Sequence, residues 1–314
     1  MKRLVLIDGN NWGFAGNGRV PIFSGTRKVQ AIHYVLNRVR ETYEQYPNAM
    51  IMVLWDGRSW RKDIYAEYKG KREVTEKQRE MKAAYMAQKP DIIKGLKLLG
   101  VTQSIAANME ADDLAYTLTE NAVSKGIPVT LLTADEDWQQ LVQPGVNWID
   151  IIRDKTCDYQ TFKRDTGFND PIQFVEAKTI LGDTGDNIIG PKGIGPAKLQ
   201  TIYAWWPNFR EFLDELQNNP QGTAEFWQKI DGKKLPKVFR ELDIPATVEI
   251  LNQNDRLANL ATDARPAIVD LRNTRKPLIA EDFREFASSV SLQLRGNSLD
   301  LFLEPFRGNK NVIR

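Results

Sequence analysis

One cysteine, Cys157, and one histidine, His33, are all that 314 residues offer of those two types. A lone cysteine excludes an intramolecular disulfide, which suits a reducing compartment. Together the two exclude a zinc site of ordinary His and Cys ligands. Long apolar runs are missing as well. None approaches the roughly 20 residues that span a bilayer, so no membrane association is expected. The opening stretch MKRLVLIDGNN has a basic tip, but its apolar run ends at Asp8, which reads as a first strand and not a signal peptide. Excess charge is absent too: the net is only +2, with 42% hydrophobic residues, the balance of an ordinary globular chain large enough for a sizeable core.

The charge that is present is unevenly placed. From Arg58 to Lys97 there are 12 Lys/Arg against 6 Asp/Glu, a local +6 that leaves −4 for the remainder. A basic stretch on a near-neutral protein suits phosphate contacts; a solvated, salt-laced helix is the plainer reading.

Periodicity predicts strands at Arg3–Ile7, Ala49–Trp55, Val101–Ala106, Val129–Thr133 and Asn147–Ile152. Between them, helical spacing covers roughly Thr26–Tyr46, most of Ser59–Leu99 with breaks at Gly70 and Pro90, and Met109–Ser124 capped by Asn108. After Cys157 no further strong strand candidate occurs, and prolines punctuate short helices. Unbroken apolar strands alternating with helices predict an α/β fold with a central, mostly parallel sheet, followed by a mainly helical part.

Several strands finish on acid. Asp8 follows Ile7, Asp56 follows Trp55, and Asp135 and Asp137 follow Leu132-Thr133-Ala134. Ligands of open α/β sheets bind at the carboxyl ends of the strands. Glu110, Asp112 and Asp113 open a helix, and Asp183 and Asp186 sit three apart further on. Each group has a structural reading: turn formers, helix-dipole partners, or Asx turns. As a set, nine carboxylates at one rim repel strongly. Two unit charges about 5 Å apart at an effective dielectric near 20 cost roughly 3 kcal/mol. Bound cations would relieve this, and hard oxygen ligands without His or Cys favour Mg²⁺ or Mn²⁺. Two such ions suit hydrolysis of a phosphodiester.

The stretch ILGDTGDNIIGPKGIGPAKL, Ile180–Leu199, places Asp183 and Asp186 ahead of glycines at 190, 193 and 195 and a helix start at Pro196. Such a loop lets backbone N–H groups meet a phosphate.

In order, the segments LIDGNN, WDGRSWRKDIYAEYKGKRE, NMEADDLAYTL, TADEDWQQLV and ILGDTGDNIIGPKGIGPAKL resemble the 5′-nuclease (flap endonuclease-like) family. That family includes stand-alone phage 5′-3′ exonucleases and the N-terminal nuclease domain of bacterial DNA polymerase I. The resemblance implies Asp8, Asp56, Glu110, Asp112, Asp113, Asp135, Asp137, Asp183 and Asp186 as metal ligands. It implies Lys69 and Arg72 as the basic pair at the scissile phosphate, at the foot of a helical arch over about 69–90. It also implies DNA contacts from Arg61, Tyr68, Lys71, Gly190, Lys192, Gly193, Gly195 and Lys198, the last five on a helix–turn–helix-like element with a possible K⁺ site. Glu136 adds a negative charge where relatives often carry a basic or small residue, and no proline follows Arg72.

The expected architecture is a nuclease core over residues 1–170 and a helical part over 171–314, whose Gly-rich loop, 182–199, completes the active site. The expected function is Mg²⁺-dependent 5′-3′ exonuclease or 5′ flap endonuclease action on DNA at a duplex junction. The protein would be a monomer in the cytoplasm of a bacterial or phage-infected cell, working beside replication proteins. The rivals are a catalytically silent DNA binder of the same fold and a phosphatase or ribonuclease of a related α/β fold.

Overall fold

The computed structural model describes residues 3–70, 75–274, 276–292 and 298–307. The chain divides into two compact units: Met1–Trp60 with Glu73–Asp165 and Pro266–Arg314, and Arg61–Arg72 with Thr166–Arg265.

The first unit is built on a seven-stranded sheet. Its strands are β1 (Leu4–Asp8), β2 (Met50–Trp55), β3 (Thr102–Ile105), β4 (Val129–Leu132), β5 (Val146–Asp150), β6 (Lys155–Cys157) and β7 (Arg272–Thr274), in the order β7-β3-β2-β1-β4-β5-β6. The five central strands run parallel, and both edge strands are antiparallel. Helices cover both faces, which is why β1, β2 and β4 are buried along almost their whole length and mostly apolar, not alternating. On one face Val5, Ile7, Ile51 and Val53 pack with α1 (Gly9–Asn17), α2 (Gln30–Gln45) and α3 (Glu76–Leu98). Beyond them, the same cluster takes in α5 (Ala280–Ser289) and α6 (Leu299–Arg307), with α4 (Ala111–Val123) preceding both in the chain.

Phe283 and Phe302, both fully buried, stack with centroids 5.6 Å apart and planes 13° apart, tying α6 to α5. Phe302→Ala is expected to cost about 3–5 kcal/mol, as deletion of a buried ring generally does. Denaturant unfolding at constant m-value measures it.

Four local expectations are corrected. Thr26–Val29 is not helical: Arg27–Lys28 pairs with Phe23–Ser24 in a small hairpin, and α2 starts at Gln30. Pro90 does not break α3. It and Met86, one turn earlier, are both exposed, so the lost ladder bond lies on the water-facing side. Asn108 does not cap α4; its side chain bonds Ala267 O and Val269 N, while Glu110 takes the cap position. The polar segment Arg272–Thr274 is a strand after all, because an exposed edge needs only backbone partners, which β3 supplies.

His33 is buried in α2, with its Nε2–H donating to Val290 O at 2.9 Å. Burial pushes the Cys157 thiol up to about 11, with Asp165 and Asp158 adding to it, so it stays protonated at neutral pH.

The second unit is helical around an aromatic core. Trp206, Phe209, Phe212, Trp227 and Phe239 lie within it, Phe212 and Phe239 edge-on at 4.9 Å. Among the described residues no helix is long and apolar enough to cross a membrane.

Candidate metal centre

The carboxyl ends of the parallel strands bring acids together in the first unit. Asp8 closes β1 and caps α1, its Oδ1 accepting from Asn11 N at 2.9 Å. Its Oδ2 accepts from Thr133 Oγ1 at 3.1 Å, and the same hydroxyl accepts from Asp135 N at 3.0 Å. One threonine therefore fixes both aspartates. Asp112 stands in the first turn of α4, its Oδ1 accepting from the indole N–H of buried Trp138 at 2.7 Å. One carboxylate oxygen from each of Asp8, Asp112 and Asp135 lies within 4.8 Å of the other two. Asp135 is held in turn by its Oδ1 accepting from Asp137 N and its carbonyl accepting from Trp148 Nε1.

Asp56, just past β2, accepts from Ala111 N at 2.8 Å, which joins that strand end to the start of α4. The following glycine is required by close approach: a Cβ on Gly57 would sit 1.9 Å from Ala106 O. Glu110 and Asp113 close a reciprocal cap on α4 and are buried. Ser59 Oγ donates to Glu110 Oε2 at 2.7 Å, and Trp60 Nε1 donates to Asp113 Oδ2 at 3.2 Å. Glu136 lies within 3.6 Å of Arg153 and 3.8 Å of Lys155, so two cations on the β5–β6 side offset its charge.

Crowding leaves an electrostatic mark. Burial, then Asp56 and Asp135, push the Asp8 carboxyl up to about 7, against the hydrogen bonds from Asn11 and Thr133. A buried carboxylate that must hold a proton near neutrality fits a place where a divalent cation takes that proton's role. The donors are all oxygen, which suits a hard ion such as Mg²⁺ or Mn²⁺. Beside this set stand Tyr85 and Lys89 of α3, whose Oη and Nζ both donate to Asn10 Oδ1 at 2.9 Å. Burial pulls the Lys89 ammonium below the usual lysine range, while Asp56 and Asp8 push it back up.

The second unit holds Asp183 and Asp186. Asp183 Oδ1 accepts from Gly185 N and Asp186 N, and its Oδ2 lies 3.4 Å from Lys178. Burial pushes the Asp183 carboxyl up, but Lys178 and these N–H groups outweigh it and hold it low. Asp186 Oδ2 accepts from Tyr68 Oη at 2.8 Å, and Lys69 Nζ lies 4.0 Å away. Lys69 has φ +56° and its N–H donates to Asp186 O, so a non-glycine residue is held left-handed where two segments join. Arg61 is buried, its Nε donating to Leu257 O at 2.7 Å, and Tyr68 is buried too. In the loop, a Cβ on Gly190 would sit 1.9 Å from Ile180 O. Lys192 and Gly193 are exposed, and Gly195 caps the helix Pro196–Tyr203, which carries Lys198. Lys71 and Arg72 lie outside the described residues.

Residues 3–167, just over half of the chain, match the family described as 5′-3′ exonuclease, N-terminal resolvase-like domain. The chain belongs to this family. It is 28% identical over 196 residues to DNA polymerase I of Pseudomonas aeruginosa, covering 61% of this chain and 21% of that one. The chain spans about a quarter or less of the polymerases I first matched. Against the flap endonuclease Xni of Shewanella frigidimarina it is 25% identical over 260 residues, covering 80% of this chain and 96% of Xni. The bacteriophage T5 D15 protein crystallised with metal ions shares the fold, with TM-score 0.66, 21% identity and coverage of 97% and 98%. A T5 D15 flap endonuclease complex with DNA and metal ions gives TM-score 0.65.

Within this 5′-3′ exonuclease family member, the structure unites Asp8, Asp112 and Asp135 as one oxygen cluster and ties Asp56, Glu110 and Asp113 to the same helix start. Sequence reasoning left Thr133, Trp138, Ser59, Asn10, Tyr85 and Lys89 without roles. Trp138 was visible as the tryptophan after Asp137. Thr133 has one local partner, Asp135 N two residues on, but its bond to Asp8 and the partners of the other four lie far along the chain.

Proposed function

We propose that this chain is a divalent-metal-dependent 5′-3′ exonuclease and 5′ flap endonuclease that hydrolyses DNA phosphodiesters. The observation that carries the reading is the meeting of Asp8, Asp112 and Asp135 oxygens within 4.8 Å, with Asp8 pushed up to about 7. Near-complete coverage of a flap endonuclease from Shewanella frigidimarina supports the activity class. The T5 D15 complex with DNA and metal ions supports DNA as the substrate and a metal ion at the site. Bound Mg²⁺ would supply an activated water and charge stabilisation at the leaving oxygen, and a pair of ions would serve both ends of an in-line displacement.

The chain's own residues divide the remaining work. Asp8, Asp112 and Asp135 hold the cation, with Asp56, Glu110, Asp113 and Asp137 as further acids of the set. Asp183 and Asp186 are assigned as ligands by their motif. Lys69 and Arg72 offset charge that builds on the transferred phosphoryl oxygens. Lys192, Lys198 and the N–H groups of the 190–195 loop grip duplex phosphates, which makes binding weaken with salt. Arg61 and Tyr68 act from the interior, Tyr68 by orienting Asp186.

A 5′-labelled flap titrated with Mg²⁺ is expected to release short 5′ products, while a phosphomonoester and single-stranded RNA stay intact. Structure-specific binding without cleavage in Mg²⁺ or Mn²⁺ would replace this reading with a silent DNA binder.

A further inference from the structure

Lys89 sits where a surface lysine of a long helix has no reason to be fixed. Its ammonium is hydrogen-bonded to Asn10 Oδ1 at 2.9 Å and lies 5.1 Å over the ring of Trp55. Asn10 is two residues past Asp8, and Trp55 is the residue before Asp56. Tyr85, one turn earlier on α3, donates to the same Asn10 oxygen, so two donors aim that amide and a ring face seats the charge. The Asn10 amide nitrogen is buried without a partner among the described residues. An arrangement that leaves a buried N–H₂ unpaired, yet points the oxygen at Lys89 and Tyr85, favours holding the ammonium in place.

We propose that Lys89 is a built-in counter-ion of the carboxylate site, one that lowers its affinity for a divalent cation. The proposal rests on the metal-dependent reading above. A fixed unit charge beside Asp8 and Asp56 offsets part of their mutual repulsion when no ion is bound. Once a divalent cation arrives, the same charge opposes it. A freely swinging lysine would do neither, because water and salt would screen it. The consequence is a site that loads only when metal is plentiful and releases it readily.

Mn²⁺ titration calorimetry on the full chain, without nucleic acid, tests this with wild type, Lys89→Met, Lys89→Gln and Lys89→Arg. Both neutral variants are expected to bind Mn²⁺ about tenfold more tightly, the order expected for removing a unit charge near a divalent ion at an effective dielectric near 20 after screening. Lys89→Arg should match wild type. Unchanged or weaker Mn²⁺ binding by the neutral variants overturns the proposal while leaving the nuclease reading intact. A loss of flap-DNA affinity in Ca²⁺ with Mn²⁺ binding unchanged also overturns it, by assigning Lys89 to the substrate instead. Wild type that binds no Mn²⁺ overturns the metal reading and this proposal together.

Discussion

Asp112→Ala should bind a 5′ flap with near wild-type affinity and cut it at least about 10³-fold more slowly, a loss of roughly 4 kcal/mol of transition-state stabilisation. The size follows from the geometry. Asp112 contributes one of three oxygens that meet within 4.8 Å, and alanine leaves the ion two partners and a gap. Binding survives because duplex phosphates are assigned to the basic residues and loop N–H groups, which the substitution does not touch. Trp138→Phe is the companion variant. It keeps a buried ring but removes the N–H that Asp112 accepts at 2.7 Å. Losing an outer hydrogen bond to a ligand typically costs 10–100-fold, so its single-turnover rate should fall between wild type and Asp112→Ala, with some recovery at high Mg²⁺. Cleavage by Asp112→Ala within tenfold of wild type would remove Asp112 from the metal centre.

The parts of this molecule legible from sequence are those with short-range causes. The strands β1, β2 and β4 are mostly apolar because both their faces are covered, and the acids at or just past their ends mark where the site forms. The acid of α4 that meets Asp8 was legible as the E-A-D-D stretch at a helix start. What could not be read was whatever depended on partners far along the chain. Arg272–Thr274 is polar, and only pairing with β3, some 170 positions earlier, makes it a strand. Asn108 has the composition of a cap and spends its side chain on Ala267 and Val269. Pro90 looks like a stop because local rules see the missing N–H; they do not see that packing of the flanking turns, with Tyr85, Gln88, Ile92 and Leu96 buried, carries the helix past it.

Glu136 illustrates the same limit at the site itself. Read locally, it adds a third acid, between Asp135 and Asp137, to a crowded turn. In the fold its carboxylate faces Arg153 and Lys155, which belong to the hairpin of β5 and β6. Lys89 shows the converse. It counts as one of many charges on a basic helix until Asn10 and Trp55, from two different strand ends, place it beside the acids.

Asp8→Asn should yield a protein that is more stable than wild type without metal and inactive with it. The folded wild-type carboxyl holds its proton up to about pH 7, whereas in the unfolded chain it ionises near 3.8. The folded state therefore binds the extra proton between those values, and stability contributed by this group is fully present below about pH 4 and lost as pH rises through 7. Three units at 1.36 kcal/mol each set an upper bound of about 4 kcal/mol. Asparagine carries no charge to desolvate and keeps an oxygen for Asn11 N. At pH 8 in EDTA the variant should melt about 5–10 °C above wild type, and the difference should vanish at pH 4. His33 slopes the other way, since burial depresses its ionisation and acid destabilises the fold below pH 6.5. That contribution is common to both proteins and cancels in the difference. Saturating Mg²⁺ should raise the wild-type melting point at pH 8 by more than that of Asp8→Asn, because asparagine removes one of the three charged oxygen ligands whose repulsion the ion relieves. A variant that melts at or below wild type in EDTA at pH 8 would show that Asp8 is not the strained member of the cluster.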